Sequence, residues 1–241
     1  MIERDRRTGA DLPPPPAAPA RSPAVAVSGE TDERIAGRGG GPALEARIRA
    51  PATAVRAVVL CHPHPLYGGS MHSPVPLAIA RRLSECDDGR IAWIRFNFRG
   101  VGSSEGTYDD GKSEVEDART AIGRIHAAAP SAPIAVCGHS FGSWVGLRAA
   151  ALEAGVDRAL LVAPSARFFD FDLAPREVAF EKSIFIGDLD EFCSVAEARS
   201  LAARLGAELR VFEGYDHHFL KSRRSLADAA VRVIAPEVCS T

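Results

Sequence analysis

Six short runs rich in apolar residues, several of them apolar throughout, recur along the chain, at residues 56–61, 90–98, 133–137, 158–163, 182–187 and 208–212, and longer stretches with helical spacing separate them. A strand that is apolar on both sides must be covered on both sides, and parallel neighbours need crossover connections, usually helices. The alternation therefore predicts an α/β fold: a mainly parallel sheet with helices on both faces. Helices are expected near 74–85, 113–128, 141–153, 195–205 and 219–234. In the second, Ser113 and Glu116 read as a capping box, and Val115, Ala118, Ala121, Ile122 and Ile125 fall on one face. Residues 43–48 alternate like an edge strand after a glycine-rich turn at 37–42.

With 241 residues the chain fits one large domain. Residues 1–30 are rich in Pro, Ala and Arg without periodicity, so they are expected to be a disordered tail, and 31–241 the folded domain. Lys and Arg number 29 against 31 Asp and Glu, which leaves no basic surplus for a nucleic-acid partner. No window approaches 18 consecutive apolar residues, so no membrane span is expected, and prolines 13–16, 19 and 23 break any signal-peptide apolar core. Five cysteines without a CxxC pair argue against a disulfide framework and for a reducing compartment, and a cytoplasmic protein is expected.

Directly after the apolar run at 133–137 stands Gly138-His139-Ser140-Phe141-Gly142, followed by a helical pattern through Leu147. A serine on so tight a strand-to-helix turn occupies strained backbone, and the turn closes only if its neighbours two residues away are small. The turn presents Oγ above the sheet and sets the Phe141 amide, at the positive end of the helix, where an oxyanion would develop.

A serine hydroxyl needs a histidine base, itself oriented by a carboxylate. The strand at 182–187 leads into Asp188-Leu189-Asp190, and the strand at 208–212 leads into Asp216-His217-His218. Asp190 is favoured over Asp188 because the loop past Gly187 can carry it toward the histidine; His217 and His218 both remain open at this point.

The loop after the first apolar strand reads His62-Pro63-His64-Pro65-Leu66-Tyr67-Gly68-Gly69-Ser70-Met71. Such a loop supplies a second oxyanion amide. Proline carries no N–H, so the donor is His64, Leu66, Tyr67 or a glycine beyond, and His64 resembles most the residue that follows the usual His-Gly pair in such loops. His62-x-His64 also invites a metal reading, but the further ligands this would need nearby are replaced by Leu66 and Tyr67. Gly100-Val101-Gly102-Ser103-Ser104-Glu105-Gly106 lacks the spacing of a dinucleotide loop and reads as a shaping loop at the rim.

With these residues in view, the chain from 31 to 241 resembles the α/β-hydrolase superfamily. Within it the chain is similar to small bacterial hydrolases with a His-Pro-His-Pro loop after strand 3 and a stretch like Arg95-Phe96-Asn97-Phe98-Arg99-Gly100-Val101-Gly102, related to dienelactone hydrolases and serine-aminopeptidase-like hydrolases. The resemblance implies Ser140 as nucleophile, Asp190 as acid and His217 as base, because Gly-x-Asp-His before an aromatic residue is the group's usual pattern; His218 departs from it.

The expected activity is hydrolysis of a carboxylic ester or related acyl bond of a small molecule through an acyl-enzyme, with no cofactor and no metal. Too few residues separate the strands ending near 163 and starting near 182 for a lid domain, and Phe168, Phe169, Phe171 and Leu173 there either rim the pocket or pack on the core. The competing expectations are an aminopeptidase-like peptidase, which would need carboxylates to hold an α-amine, a metal-dependent hydrolase, and a non-catalytic binding protein on the same fold.

Overall fold

A computed structural model describes residues 25–172 and 180–239. Eight strands form one sheet: β1 (Thr31–Ile35), β2 (Leu44–Arg49), β3 (Arg56–Cys61), β4 (Ile91–Phe96), β5 (Ile134–His139), β6 (Val156–Val162), β7 (Glu181–Gly187) and β8 (Glu208–Phe212). Their spatial order is β1-β2-β4-β3-β5-β6-β7-β8, antiparallel across the first two pairs and parallel from β4 onward. Among the described residues five α-helices pack on the sheet, the first four between strands and the last after β8: α1 (Pro74–Cys86), α2 (Glu114–Ala128), α3 (Phe141–Ala150), α4 (Val195–Leu205) and α5 (Arg223–Ile234).

The two-sided burial anticipated from the apolar runs is what is found. One face of the sheet packs against α2, α3 and α4 through Ile122, Val145 and Leu201, the other against α1 and α5 through Leu83 and Val231. β3, β4 and β5 are buried throughout. The stretch from β6 to β7 is short, and among the described residues no lid domain covers the sheet.

Several local expectations differ from the structure. β1 was not anticipated, because Thr31-Asp32-Glu33-Arg34-Ile35 is polar; it lies at the sheet edge, where charge protects the open hydrogen-bonding groups. Residues 25–30, read as the end of the tail, belong to the domain. Val27 is buried, and Glu30 accepts from Arg95 Nε at 2.8 Å, from Arg95 Nη2 at 2.6 Å and from Trp93 Nε1 at 3.0 Å. Burial alone would raise the Glu30 carboxyl, but the Arg95 guanidinium outweighs it and holds the group below the usual range. Residues 1–24 lie outside the described residues.

Ser113 is not a capping-box residue: it has helical backbone angles, and its hydroxyl donates to Asp109. Ser194 and Glu197 form the capping box instead, at the start of α4. α5 begins at Arg223, capped by Ser222, four residues later than the pattern suggested. Finally, Cys86 at the end of α1 is disulfide-bonded to Cys239, while Cys61, Cys137 and Cys193 are free and buried. This pairing runs against the expectation that a disulfide framework is absent and removes the cysteine argument for a reducing compartment. No helix among the described residues is long and apolar enough to cross a membrane.

Candidate active site

The parallel strands all end at one edge, and the residues singled out from the sequence gather there. Ser140 follows β5 with φ 56° and ψ −120°, a strained backbone that its surroundings enforce. Its amide donates to Val162 O on β6 at 2.9 Å, and its carbonyl accepts the Ser143 hydroxyl at 2.5 Å. The flanking glycines are steric requirements. A Cβ on Gly138 would stand 2.5 Å from Ser143 N, and one on Gly142 would stand 2.5 Å from Cys61 O and press on His62 O. Gly142 thus lets the loop after β3 lie directly against the start of α3.

Asp190 and His217 converge on this turn from the ends of β7 and β8. Asp190 Oδ1 accepts the amides of Phe192 at 2.8 Å and Cys193 at 3.0 Å, and Oδ2 lies 2.8 Å from His217 Nδ1. A carboxylate so held only accepts, so Nδ1 carries the proton and Nε2 is the free base. Both residues are buried. Asp188 instead is exposed and accepts the Gly214 amide at 2.6 Å, a turn-holding role. His218 is exposed and makes no bond to either aspartate. Gly187 is the crossing point of the two loops: a Cβ there would stand 2.6 Å from Tyr215 C.

His139 ties the two halves together. Its Nε2–H donates to the His217 carbonyl at 3.0 Å, and the two rings lie 5.2 Å apart. Burial, reinforced by the neighbouring imidazoles His217 and His218, holds His139 neutral with a pKa well below the ordinary value.

Around the loop after β3, most amides are already committed. Leu66 N donates to His64 Nδ1 at 3.2 Å, Tyr67 N and Gly69 N to His64 O at 3.1 Å each, Gly68 N to Pro65 O at 3.3 Å, and Ser70 N to Ser73 Oγ at 3.0 Å. The His64 amide has no such partner among the described residues. Phe141, the first residue of α3, likewise has no partner one turn back.

Both imidazoles of His62-x-His64 are fully engaged. His62 lies 2.6 Å from Pro63 O through Nδ1 and accepts Phe98 N through Nε2 at 3.0 Å. In His64, Nδ1 accepts Leu66 N, so Nε2–H donates to Tyr108 Oη at 3.0 Å. Burial lowers His62 to about 3 and His64 to about 4. A metal would have to displace these bonds.

Of the aromatics after β6, Phe169 and Phe171 are core; Phe169 stacks on Trp144 with centroids 4.8 Å apart. Phe169 also lies beside the site, its ring 5.6 Å from Phe141 and 6.2 Å from His64, and Phe168 approaches it from the other side, 6.2 Å from Phe192, which lies 4.7 Å from His217. Leu173 falls outside the described residues. In the loop at 100–106, Gly102 packs against Glu45 and Asn97, whose side chains hydrogen-bond each other at 2.8 Å.

Three residues at the site went unanticipated: Tyr108, His139 in its anchoring role, and Ser165, whose Oγ lies 3.0 Å from Ser140 Oγ. Their contacts run between strands and loops far apart in sequence, and no local pattern marks them.

Comparisons with known proteins agree with this architecture. The family described as Serine aminopeptidase, S33, matches residues 52–177. An uncharacterized protein of Rickettsia prowazekii is 33% identical over 175 residues, 68% of this chain and 71% of that one. Among solved structures, a Xanthomonas campestris α/β serine hydrolase without a lid superposes with TM-score 0.76 at 28% identity, covering 90% of this chain and 99% of the other. A Coxiella burnetii α/β serine hydrolase homologue gives TM-score 0.75 at 30% identity, covering 88% and 100%. The chain belongs to the Serine aminopeptidase, S33, family and is a serine hydrolase of the α/β fold.

Proposed function

We propose that the protein cleaves a carboxylic ester of a small molecule by two-step acyl transfer, with Ser140 as nucleophile, His217 as base and Asp190 as acid. The observation that carries this reading is the convergence of three chain segments on one turn: a strained serine, a buried imidazole with its proton fixed on Nδ1, and a loop in which the His64 amide has no partner among the described residues. His217 takes the Ser140 proton through Nε2 as Oγ attacks the carbonyl, and returns it to the leaving alkoxide. The amides of Phe141 and His64 hold the oxyanion, aided by the α3 N-terminus. Water then attacks the acyl-enzyme, with His217 again as base. Among the described residues no lid covers the site, as in the Xanthomonas campestris serine hydrolase without a lid, which suits a short soluble acyl group.

The family description favours a second reading in which the same machinery cleaves the amide after an N-terminal residue. The two differ in leaving group, so one panel separates them: p-nitrophenyl esters of rising acyl length against aminoacyl p-nitroanilides, with fluorophosphonate labelling mapped by mass spectrometry. Labelling of Ser140, lost in Ser140→Ala, with ester turnover exceeding anilide turnover, is expected. Equal labelling of Ser140→Ala overturns the nucleophile assignment.

A further inference from the structure

Ser165 stands next to the reacting atom without a part in the mechanism above. It follows β6, two residues past Ala163, whose φ of 47° puts an L-residue in left-handed backbone. Ala163 is fully buried and held there by its amide, which donates to Phe185 O at 2.8 Å. The Ser165 carbonyl accepts the amides of Phe168 at 3.0 Å and Phe169 at 3.2 Å. This turn brings the buried Ser165 hydroxyl 3.0 Å from Ser140 Oγ, and among the described residues it is the only side chain hydrogen-bonded to that oxygen. A strained backbone that delivers a hydroxyl to a nucleophile is the sort of feature that persists at functional sites.

We propose that Ser165 is a further catalytic residue, whose O–H donates to Ser140 Oγ and speeds release of the acyl group. The proposal rests on Ser140 being the nucleophile. The acceptor strength of Oγ changes through the cycle. It is high in the free hydroxyl and low in the acyl-enzyme, where the ester delocalises its lone pair. In deacylation, water adds to the acyl carbon and gives its proton to His217. The C–Oγ bond then breaks, its electron pair stays on Oγ, and His217 returns the proton to Oγ. The Ser165 hydrogen bond strengthens along this step without giving up its own proton. An interaction stronger in the transition state than in the preceding ground state accelerates that step. In acylation the change runs the other way, because Oγ loses acceptor strength as the ester forms. Ser165 therefore favours deacylation and does nothing for, or slightly retards, acylation.

The test is Ser165→Ala together with Ser165→Cys, which keeps the shape and weakens the donor, each checked for an unchanged thermal melt. With a p-nitrophenyl ester, kcat is expected to fall about three- to tenfold, the range of one neutral hydrogen bond. KM should fall by the same factor, so that kcat/KM holds or rises. A burst of p-nitrophenol should appear, and quenched intact-mass spectra should show the acyl adduct accumulating at steady state. Fluorophosphonate labelling, which reports only the first step, should proceed at the wild-type rate or faster. The proposal is overturned if kcat and kcat/KM fall together without adduct, or if neither changes. Should Ser165→Ala lose its fold, the Cys variant decides by the same split. Failure of the nucleophile assignment is separately visible, as absence of any adduct on Ser140 in the wild type.

Discussion

Replacing Asp190 by Asn isolates the location of a single proton. Oδ1 of Asp190 accepts two backbone amides, from Phe192 and Cys193, while Oδ2 faces His217 Nδ1 at 2.8 Å. An asparagine has one carbonyl oxygen, and it must occupy the first position, because the opposite orientation would set an NH₂ group against both amides. Its NH₂ then faces His217 and makes Nδ1 an acceptor, which moves the imidazole proton to Nε2. That nitrogen can no longer take the proton of Ser140. A triad left intact in geometry but with the wrong tautomer loses about 10⁴ in kcat. At 1.36 kcal/mol per factor of ten this is about 5 kcal/mol of transition-state stabilisation. The assay is steady-state hydrolysis of a p-nitrophenyl ester beside a thermal melt, with the melt near wild type because the two amide bonds survive. Asp188→Asn is the control, since Asp188 only accepts the Gly214 amide and should leave kcat close to wild type. If Asp190→Asn keeps more than about a tenth of wild-type kcat, Asp190 does not set the His217 tautomer and the assignment of the acid fails.

Gly142→Ala should destabilise the fold by about 1–3 kcal/mol in urea unfolding and cut kcat at least tenfold. The new methyl meets the backbone carbonyls of Cys61 and His62 and pushes the His64 amide away. Glu30→Gln should cost about 3–5 kcal/mol in the same measurement, because it leaves the buried Arg95 guanidinium without its anion. Acid should destabilise the protein as pH falls from about 6.5 toward 4: His62 and His64 are held at about 3 and 4 when folded but return to 6.5 when unfolded, so the unfolded chain binds more protons in that window. Melting temperature against pH should therefore flatten in His64→Asn, whose side-chain oxygen can still accept the Leu66 amide.

The centre of the parallel sheet was legible because its strands β3, β4 and β5 carry their own evidence: a run buried on both faces has no stable place except between two layers. The edge was not. In β1 only Ile35 is buried, and the alternation that would betray a strand is overwritten by charges placed there to face solvent. Glu30 was misjudged for a related reason. A carboxylate reads as exposed unless its partner is known, and the partner that makes burial tolerable stands 65 residues away on β4. The two Ser-x-x-Glu patterns show how little separates a cap from its imitation. Ser194 has extended backbone, with ψ 157°, and its hydroxyl is free to accept Glu197 N; Ser113 has ψ −20° and spends its hydroxyl on Asp109.

At the site the same distinction governs what a sequence can disclose. The turn around Ser140 was readable because its constraints close within five residues: glycines are needed where a Cβ would meet the turn's own backbone or the loop after β3. Asp188 and Asp190 could be ordered only by inclination, and His217 and His218 only through resemblance, because two residues or one along a loop reverse which way a side chain faces. Three-dimensional pairing is what distinguishes them: Asp190 accepts two backbone amides and faces His217 Nδ1, whereas Asp188 ends its chain of bonds on a turn amide. Ser165 lies deeper in this hidden class. Serine after a strand is unremarkable in any sequence, and its meaning arises only when the left-handed Ala163 turns it toward Ser140 at the end of the adjacent strand. Chemistry that depends on one hydroxyl meeting another across a sheet thus leaves its trace in backbone strain rather than in residue pattern, and positive φ at a buried non-glycine residue next to a reactive group is the feature by which it can be found.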